Sequence, residues 1–368
     1  MTDQKIYIKA ATQISMQQPL SEAWQTAPER PDVPYQRSQD PNFRDWLNPL
    51  ESRRMGKLMK RALVTAQKVM KETEISQPDA IITGTGLGCI ENTELFLDQL
   101  CREGEEMLKP TYFMQSTHNT ISSLVAIQTK NHGYNVTYAH KGISFDSALQ
   151  DAWLQLRLGK IDSALVGGHD EMTETFYHIL KKGGVMGQDD EMCGESAVSV
   201  VLSKAVKPVE TPLQNKSALR PFDWPQGSQA QGPQPLCQLT GFQMLHQPTM
   251  NTLMDALARL LQYAGKSLAD VDYILTGISG HHDQDEAYLQ ETKTLFGQKP
   301  LLKFKHLFGE SFTSSGIGMY VAAQCLKAGH VPSTLFVDSK EVSDKQPKCI
   351  LLYNRSDGKN ISLTLLEA

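Results

Sequence analysis

The sequence predicts an α/β fold made of two halves that repeat the same logic. Short β-rich apolar runs alternate with segments of helical periodicity, and the helical patterns stop at Gly133, Gly159, Gly265 and Gly329. A stretch rich in Pro, Gln and Gly, from about Lys204 to Pro248, separates two regions in which that alternation occurs. Alternating strands and helices assemble into parallel sheets covered on both faces. The chain therefore divides into an N-terminal half (residues 1–205), a connecting segment (206–248) and a C-terminal half (249–368).

After an irregular, Pro-rich opening from Pro19 to Pro49, Leu58, Ala62, Leu63, Ala66 and Met70 recur at helical spacing and predict a helix over residues 53–71. Arg53, Arg54, Lys57, Lys60 and Arg61 cluster there. A solvated helix face is the plain reading of the cluster, and contact with an acidic partner is the alternative. Ala80-Ile-Ile-Thr83 reads as a strand entering the turn Gly84-Thr-Gly-Leu-Gly88. Cys89 stands where a dinucleotide loop needs its third glycine, and a tight strand-to-helix turn uses glycines for its own backbone, so no cofactor is expected.

Ile121, Leu124, Val125 and Gln128 predict a helix ending at Gly133, followed by a strand over residues 135–138. Phe145, Ala148, Leu149, Ala152 and Leu156 then mark one apolar helix face, with Ser144 placed to cap it. Ala164-Leu-Val166, ending in Gly167-Gly168, and Val198-Ser-Val-Val-Leu202 read as buried strands. In the second half, a helix from about Met250 to Gly265 precedes the strand Tyr273-Ile-Leu275. A small-residue helix from Gly316 to Lys327 ends before Pro332.

With 368 residues, 40% hydrophobic and 21% charged, the chain can bury a large core. A net charge of −5 offers no general attraction for nucleic acid. The opening MTDQKIYIKA lacks the apolar region of a signal peptide, and no run approaches the roughly 20 apolar residues of a membrane span, so a cytoplasmic location is expected. Six scattered cysteines without CxxC spacing fit reduced thiols better than disulfides or zinc.

Several segments, in order, resemble the β-ketoacyl synthase branch of the thiolase superfamily. They are Ser116-Thr-His-Asn119, the turn around Gly142, Gly159 to Gly168 and Gly194-Glu-Ser-Ala197, then Glu291 to Gly297, Lys305 to Gly309, Ser315-Gly316 and Val331 to Thr334. The resemblance implies a five-layered αβαβα thiolase-like fold with two pseudo-symmetric halves and an obligate dimer. It also implies a nucleophilic cysteine at the head of a buried helix, where helix-terminal amides stabilise a thiolate, and two histidines that stabilise an enolate. Counting along the family pattern places Gly142 at the nucleophile position. Lys305 is retained, but Glu310 stands where the second histidine belongs, and a carboxylate opposes an enolate. For the first histidine, counting places Gly280 there beside His281 and His282, with the register open by a small gap. The family's glycine- and phenylalanine-rich gating loop is replaced by Asn354-Arg-Ser-Asp-Gly-Lys-Asn360.

The expectation is a non-condensing chain-length factor of an aryl polyene, polyketide or fatty-acid system. Its expected partners are an active β-ketoacyl synthase subunit, in a heterodimer, and an acyl carrier protein. His118, Thr120, Ser123, Leu124, Ile127, Tyr138 and Phe145 are the tunnel or interface candidates by resemblance. Arg53, Arg54, Lys57, Lys60 and Arg61 are the carrier-protein docking candidates. The alternatives are an acyltransferase with relocated chemistry, for which Ser144 as nucleophile and His140 as base are available, and a homodimeric acyl-binding scaffold. His281, His282, Asp283, Asp285 and Glu286 could supply metal ligands, but a polar loop explains them more simply and no metal is expected.

Overall fold

The computed structural model describes residues 4–30, 33–106, 108–204 and 234–368. The N-terminal half contributes β1 (Ile6–Ile14), β2 (Tyr35–Gln36), β3 (Ala80–Gly84), β4 (Tyr134–Tyr138), β5 (Ser163–Asp170), β6 (Cys193–Gly194) and β7 (Ser196–Lys204). The C-terminal half contributes β8 (Cys237–His246), β9 (Tyr273–Thr276), β10 (Leu301–Lys303), β11 (Cys349–Ser356) and β12 (Asn360–Glu367). The helices are α1 (Pro49–Ser52), α2 (Lys57–Thr73), α3 (Ile90–Glu103), α4 (Pro110–Ser116), α5 (Thr120–Thr129) and α6 (Ser144–Arg157). After them come α7 (Glu174–Lys182), α8 (Met250–Tyr263), α9 (His282–Phe296), α10 (Lys305–Phe308) and α11 (Ser314–Ala328).

The two halves share one strand order. In the first it runs β4-β3-β5-β7-β1, in the second β10-β9-β11-β12-β8. In both, the outer three strands are parallel and the inner two antiparallel. The halves meet where Ile6, Tyr7 and Ile8 of β1 pair antiparallel with Leu239, Gln238 and Cys237 of β8, making one ten-stranded sheet folded on itself. Inside the fold lie α6, packed on β3 and β5, and α11, packed on β11 and β7. Outside, α2 and α5 cover the first half, while α8 and α9 cover the second. This is the thiolase-like five-layered αβαβα arrangement.

The central layer explains the composition of its helices. From Ser314 to Leu326 every residue of α11 is buried, so a stretch rich in Gly, Ser and Ala lets the sheets close on it from both sides. The α6 face of Phe145, Ala148, Leu149, Ala152 and Leu156 is wholly buried, each large side chain contributing about 1.5–3 kcal/mol. Between the two helices the fully buried Asp146 carboxyl accepts hydrogen bonds from Ser362 Oγ at 2.6 Å and Ser315 Oγ at 2.8 Å, joining α6, α11 and β12. Burial pushes its pKa up, against those donors. The irregular opening is anchored by Trp24, whose indole N–H donates to Tyr320 Oη of α11 at 3.1 Å.

Several sequence expectations are corrected. The helix predicted over residues 53–71 begins at Lys57, because Gly56 in extended conformation caps it and Arg53 and Arg54 precede it. Ser144 lies inside α6 rather than at its cap. The strand predicted to end in Gly167-Gly168 runs on to Asp170, since both glycines stay in register with β3 and β7. The expected connecting segment contains β8, while residues 205–233 lie outside the described residues. The segment that stands in place of the family's gating loop, residues 354–360, lies in a β11–β12 hairpin around Asp357 and Gly358, both left-handed at φ 49° and 65°.

Candidate functional site

The head of α6 opens onto a cleft of about 550 Å³ lined by Lys141, Gly142, Gly277, Lys305, Glu310 and Ser356, among others. Between β4 and α6 the chain reverses through a single 3-10 turn, Lys141–Ile143, with Lys141 left-handed at φ 50°. The Ser144 hydroxyl fixes the turn: it accepts from His140 N at 2.9 Å and lies 2.7 Å from Lys141 O and 2.9 Å from Thr85 O. Gly142 thus sits at the N-terminal end of a 14-residue helix, where amides and the helix dipole favour negative charge. It has no side chain to acylate. A Cβ built on it overlaps the Ser356 hydroxyl and lies 3.0 Å from Ser356 Cβ.

On the opposite wall, buried Lys305 is ion-paired with Glu310. Glu310 also accepts from Ser311 N at 2.9 Å and Ser314 Oγ at 2.8 Å, which fixes its orientation against Lys305. Glu191 shares this wall, accepting from Ser279 Oγ at 2.9 Å and Gly187 N at 2.7 Å. Burial raises its pKa, and repulsion from Glu310 acts the same way. On this wall the Lys305 ammonium is therefore engaged by the Glu310 carboxylate, which leaves it less able to stabilise an anionic group in the cleft.

The loop after β9 settles which glycine faces Lys305. Gly280 has φ 103°, and a Cβ there would meet Asp190 O at 2.6 Å, so the chain turns away from the cleft. Gly277 is the neighbour: a Cβ on it would lie 3.2 Å from Lys305 Nζ and 3.1 Å from Asn354 Oδ1. His281 and His282 are not among the cleft-lining residues. The His281 ring lies 3.7 Å from the Asp189 carboxylate, and exposed His282 pairs with Asp190 at 3.2 Å, which raises its pKa. Asp285 accepts from Ser279 N and Gly280 N at 3.1 and 2.7 Å, so the acidic residues of this loop organise its backbone.

The remaining candidates fall in separate places. Ser144 is fully buried, and His140 Nδ1 lies 3.0 Å from Ser147 Oγ, so the structure forms no Ser144–His140 dyad. The Gly84–Gly88 turn holds its own anion: the Asp170 carboxylate accepts from Thr85 Oγ1, Gly86 N and Leu87 N at 2.8–2.9 Å. Phe145, expected in the tunnel or interface, is sealed in the central core. Tyr138 is half-buried at the end of β4. On α5 and the turn before it, His118 is exposed, Thr120, Ser123 and Leu124 are half-buried, and Ile127 is 70% exposed. They border β4, the end strand of the sheet, and exposed Phe113, Met114 and Tyr134 lie in the adjoining elements.

In the basic cluster, Arg53, Arg54 and Lys57 are exposed and Lys60 is half-buried. Arg61 is not available for docking: at 1% exposure it bonds Asp40 Oδ1 and Glu195 Oε2, each at 2.5 Å. A helical period sets its burial, because Arg61 lies on the same inward face as Leu58 and Thr65.

A folded-over ten-stranded sheet with two central helices, one opening at its head onto a cleft, is the ketosynthase fold of the thiolase type. The chain belongs to the β-ketoacyl synthase family, whose N-terminal domain matches residues 22–255. Among curated relatives, 3-oxoacyl-[acyl-carrier-protein] synthase 2 of Mycobacterium leprae is 26% identical over 136 residues. That match spans 36% of this chain and about a third (32%) of the relative. The ishigamide ketosynthase/chain length factor superimposes with a TM-score of 0.77 at 15% identity, covering 100% of both chains. The ketosynthase ApeO in complex with its chain length factor ApeC, from Xenorhabdus doucetiae, gives 0.72 at 14% identity, covering 99% of this chain and 98% of the other. At such identities the likeness establishes the fold.

Sequence reasoning passed over Ser356, Gly277 and Glu191. The Asp357-Gly358 dipeptide between two β-rich runs was an available hairpin signal that bears on Ser356. Gly277 and Glu191 carry no local signal, because only the folded backbone brings them to the cleft.

Proposed function

We propose that this chain is a non-condensing chain-length factor. It pairs with an active β-ketoacyl-ACP synthase and shapes the tunnel for a chain growing on an acyl carrier protein, in a polyene system of the aryl polyene type or a polyketide or fatty-acid system. The observation that carries this reading is the glycine at the head of α6, in a family whose chemistry needs a nucleophile there. The Lys305–Glu310 pair adds to it, since a carboxylate fills the wall where enolate stabilisation is required. Two solved structures of similar fold carry chain length factor in their descriptions, which is consistent with a paired role.

The surface supports a partner as well. Strand β4 pairs only with β3 among the described residues, and an end strand with free backbone groups beside exposed Ile127, Phe113, Met114 and Tyr134 is a natural site of association. The exposed Arg53, Arg54 and Lys57 suit an acidic carrier protein.

The test is co-expression with a candidate active ketosynthase, then mass spectrometry after incubation with acyl- and malonyl-loaded carrier protein. A stable heterodimer acylated only on the partner is the expected result, and the paired Ile127→Asp and Tyr134→Asp changes should dissociate it. Covalent loading and turnover by this chain alone would overturn the reading, and a stable homodimer that ignores the synthase would favour the scaffold alternative.

A further inference from the structure

We propose that Ser356 is a second, independent block on the nucleophile position: a hydroxyl delivered by the β11–β12 hairpin occupies the volume a side chain at residue 142 would need. The inference rests on reading the head of α6 as a lost acyl-loading site. It predicts that a cysteine restored at residue 142 stays unloaded while Ser356 is present.

The backbone does not demand glycine at this position. The left-handed residue of the turn is Lys141, and Gly142 is not in the positive-φ region. What excludes a side chain is the neighbour across the cleft, more than half the chain away in sequence. A Cβ on Gly142 overlaps Ser356 Oγ. Rotation about χ1 would move that oxygen but leave Ser356 Cβ at 3.0 Å, inside the roughly 3.5–4.0 Å of favourable carbon contact.

The hairpin cannot readily withdraw, because the residues before Ser356 are pinned from several sides. Tyr353 O accepts from Tyr288 Oη, and Tyr353 Oη donates to Glu291 at 2.7 Å. Arg355 pairs with Glu291 at 3.2 Å, and Ser356 stands opposite Asn360 where the hairpin closes. Its hydroxyl faces the cleft, with no hydrogen-bond partner among the described residues. It therefore acts by occupying space.

The test uses the full chain in four forms: wild type, G142C, S356G and the G142C/S356G double variant. Each is incubated with an octanoyl thioester of N-acetylcysteamine and, separately, with iodoacetamide, and modification at residue 142 is read by peptide mass mapping. In the acyl reaction the introduced thiolate attacks the thioester carbonyl. A new carbon–sulfur bond forms, the old one breaks, and the departing N-acetylcysteamine thiolate takes up the proton the introduced thiol released.

The double variant should react about tenfold or more faster than G142C with both reagents, the scale on which steric overpacking acts. Equal rates would overturn the proposal, as would an acyl mass on Ser356 of the wild type, which would make it an acceptor instead of a block. If G142C fails to fold, melting temperatures of G142A, S356G and G142A/S356G answer the same question: S356G should restore what G142A loses, and simple additivity would refute the contact. Iodoacetamide reports space alone, so failure of the chain-length-factor reading would leave that result standing.

Discussion

Arg61, a residue expected at a docking surface, instead carries a buried ion cluster, and its removal gives a direct measure of that cluster. The perturbation is R61L, which keeps the helix and the apolar stem but removes the guanidinium. Its Nη1 bonds Glu195 Oε2 at 2.5 Å, with Glu195 also buried, and its Nε bonds Asp40 Oδ1 at 2.5 Å. Burial opposes the charge on Arg61, and the two carboxylates outweigh it, so the pKa is raised. Asp40 keeps Lys57 at 3.5 Å, so the group left stranded is Glu195, with Ser38 N at 3.1 Å as its nearest remaining donor.

Removing one partner of a buried pair costs about 3–5 kcal/mol, a large part of the roughly 5–15 kcal/mol that holds a domain together. Urea unfolding at pH 7.5 should show R61L with a lower midpoint and an unchanged slope. R61L/E195Q should recover a substantial part of the loss by neutralising the stranded carboxylate. A loss below about 1 kcal/mol, or a double variant no better than R61L, would refute the reasoning. The same change should leave carrier-protein association untouched in protein that remains folded.

Two further outcomes follow from the same physics. E310Q leaves buried Lys305 without its ion pair and should cost about 3 kcal/mol, read as a melting temperature several degrees lower; an unchanged value would mean that Glu191 compensates fully. Burial pushes Glu171 up to about 7 and Asp170 to about 6. A carboxyl whose folded pKa lies above its unfolded value gives stability that is fully present below the unfolded pKa and lost as pH rises through the folded one. The Glu171 contribution to unfolding free energy should therefore fall by ~3 kcal/mol between about pH 4.5 and 7, read as the pH-dependent difference between wild type and E171Q; a difference that stays constant over that range would refute it.

The sequence by itself determined whatever depends on neighbouring residues or on the identity at one position. The apolar face of α6, strands β3 and β4, and the small-residue helix α11 were legible because helix and strand periodicities are local. So was the absence of a side chain at the head of α6, since residue 142 is a glycine in every conformation. Strand β8 was hidden inside a stretch whose Pro, Gln and Gly content signals a connection, although pairing with β12 and β1 makes it central to the sheet.

Only the tertiary structure decided what meets what. Arg61 is drawn inward because α2 lies against the segment carrying Asp40 and the start of β7, and a helical net alone cannot say which face is covered. Gly277 rather than Gly280 adjoins Lys305 because the loop after β9 takes a left-handed turn. Ser356 reaches Gly142 because the registers of a ten-stranded sheet bring a hairpin tip over the head of a distant helix. Such contacts are set by long-range strand pairing, where a shift of one residue reverses every side chain, and that register belongs to the fold as a whole.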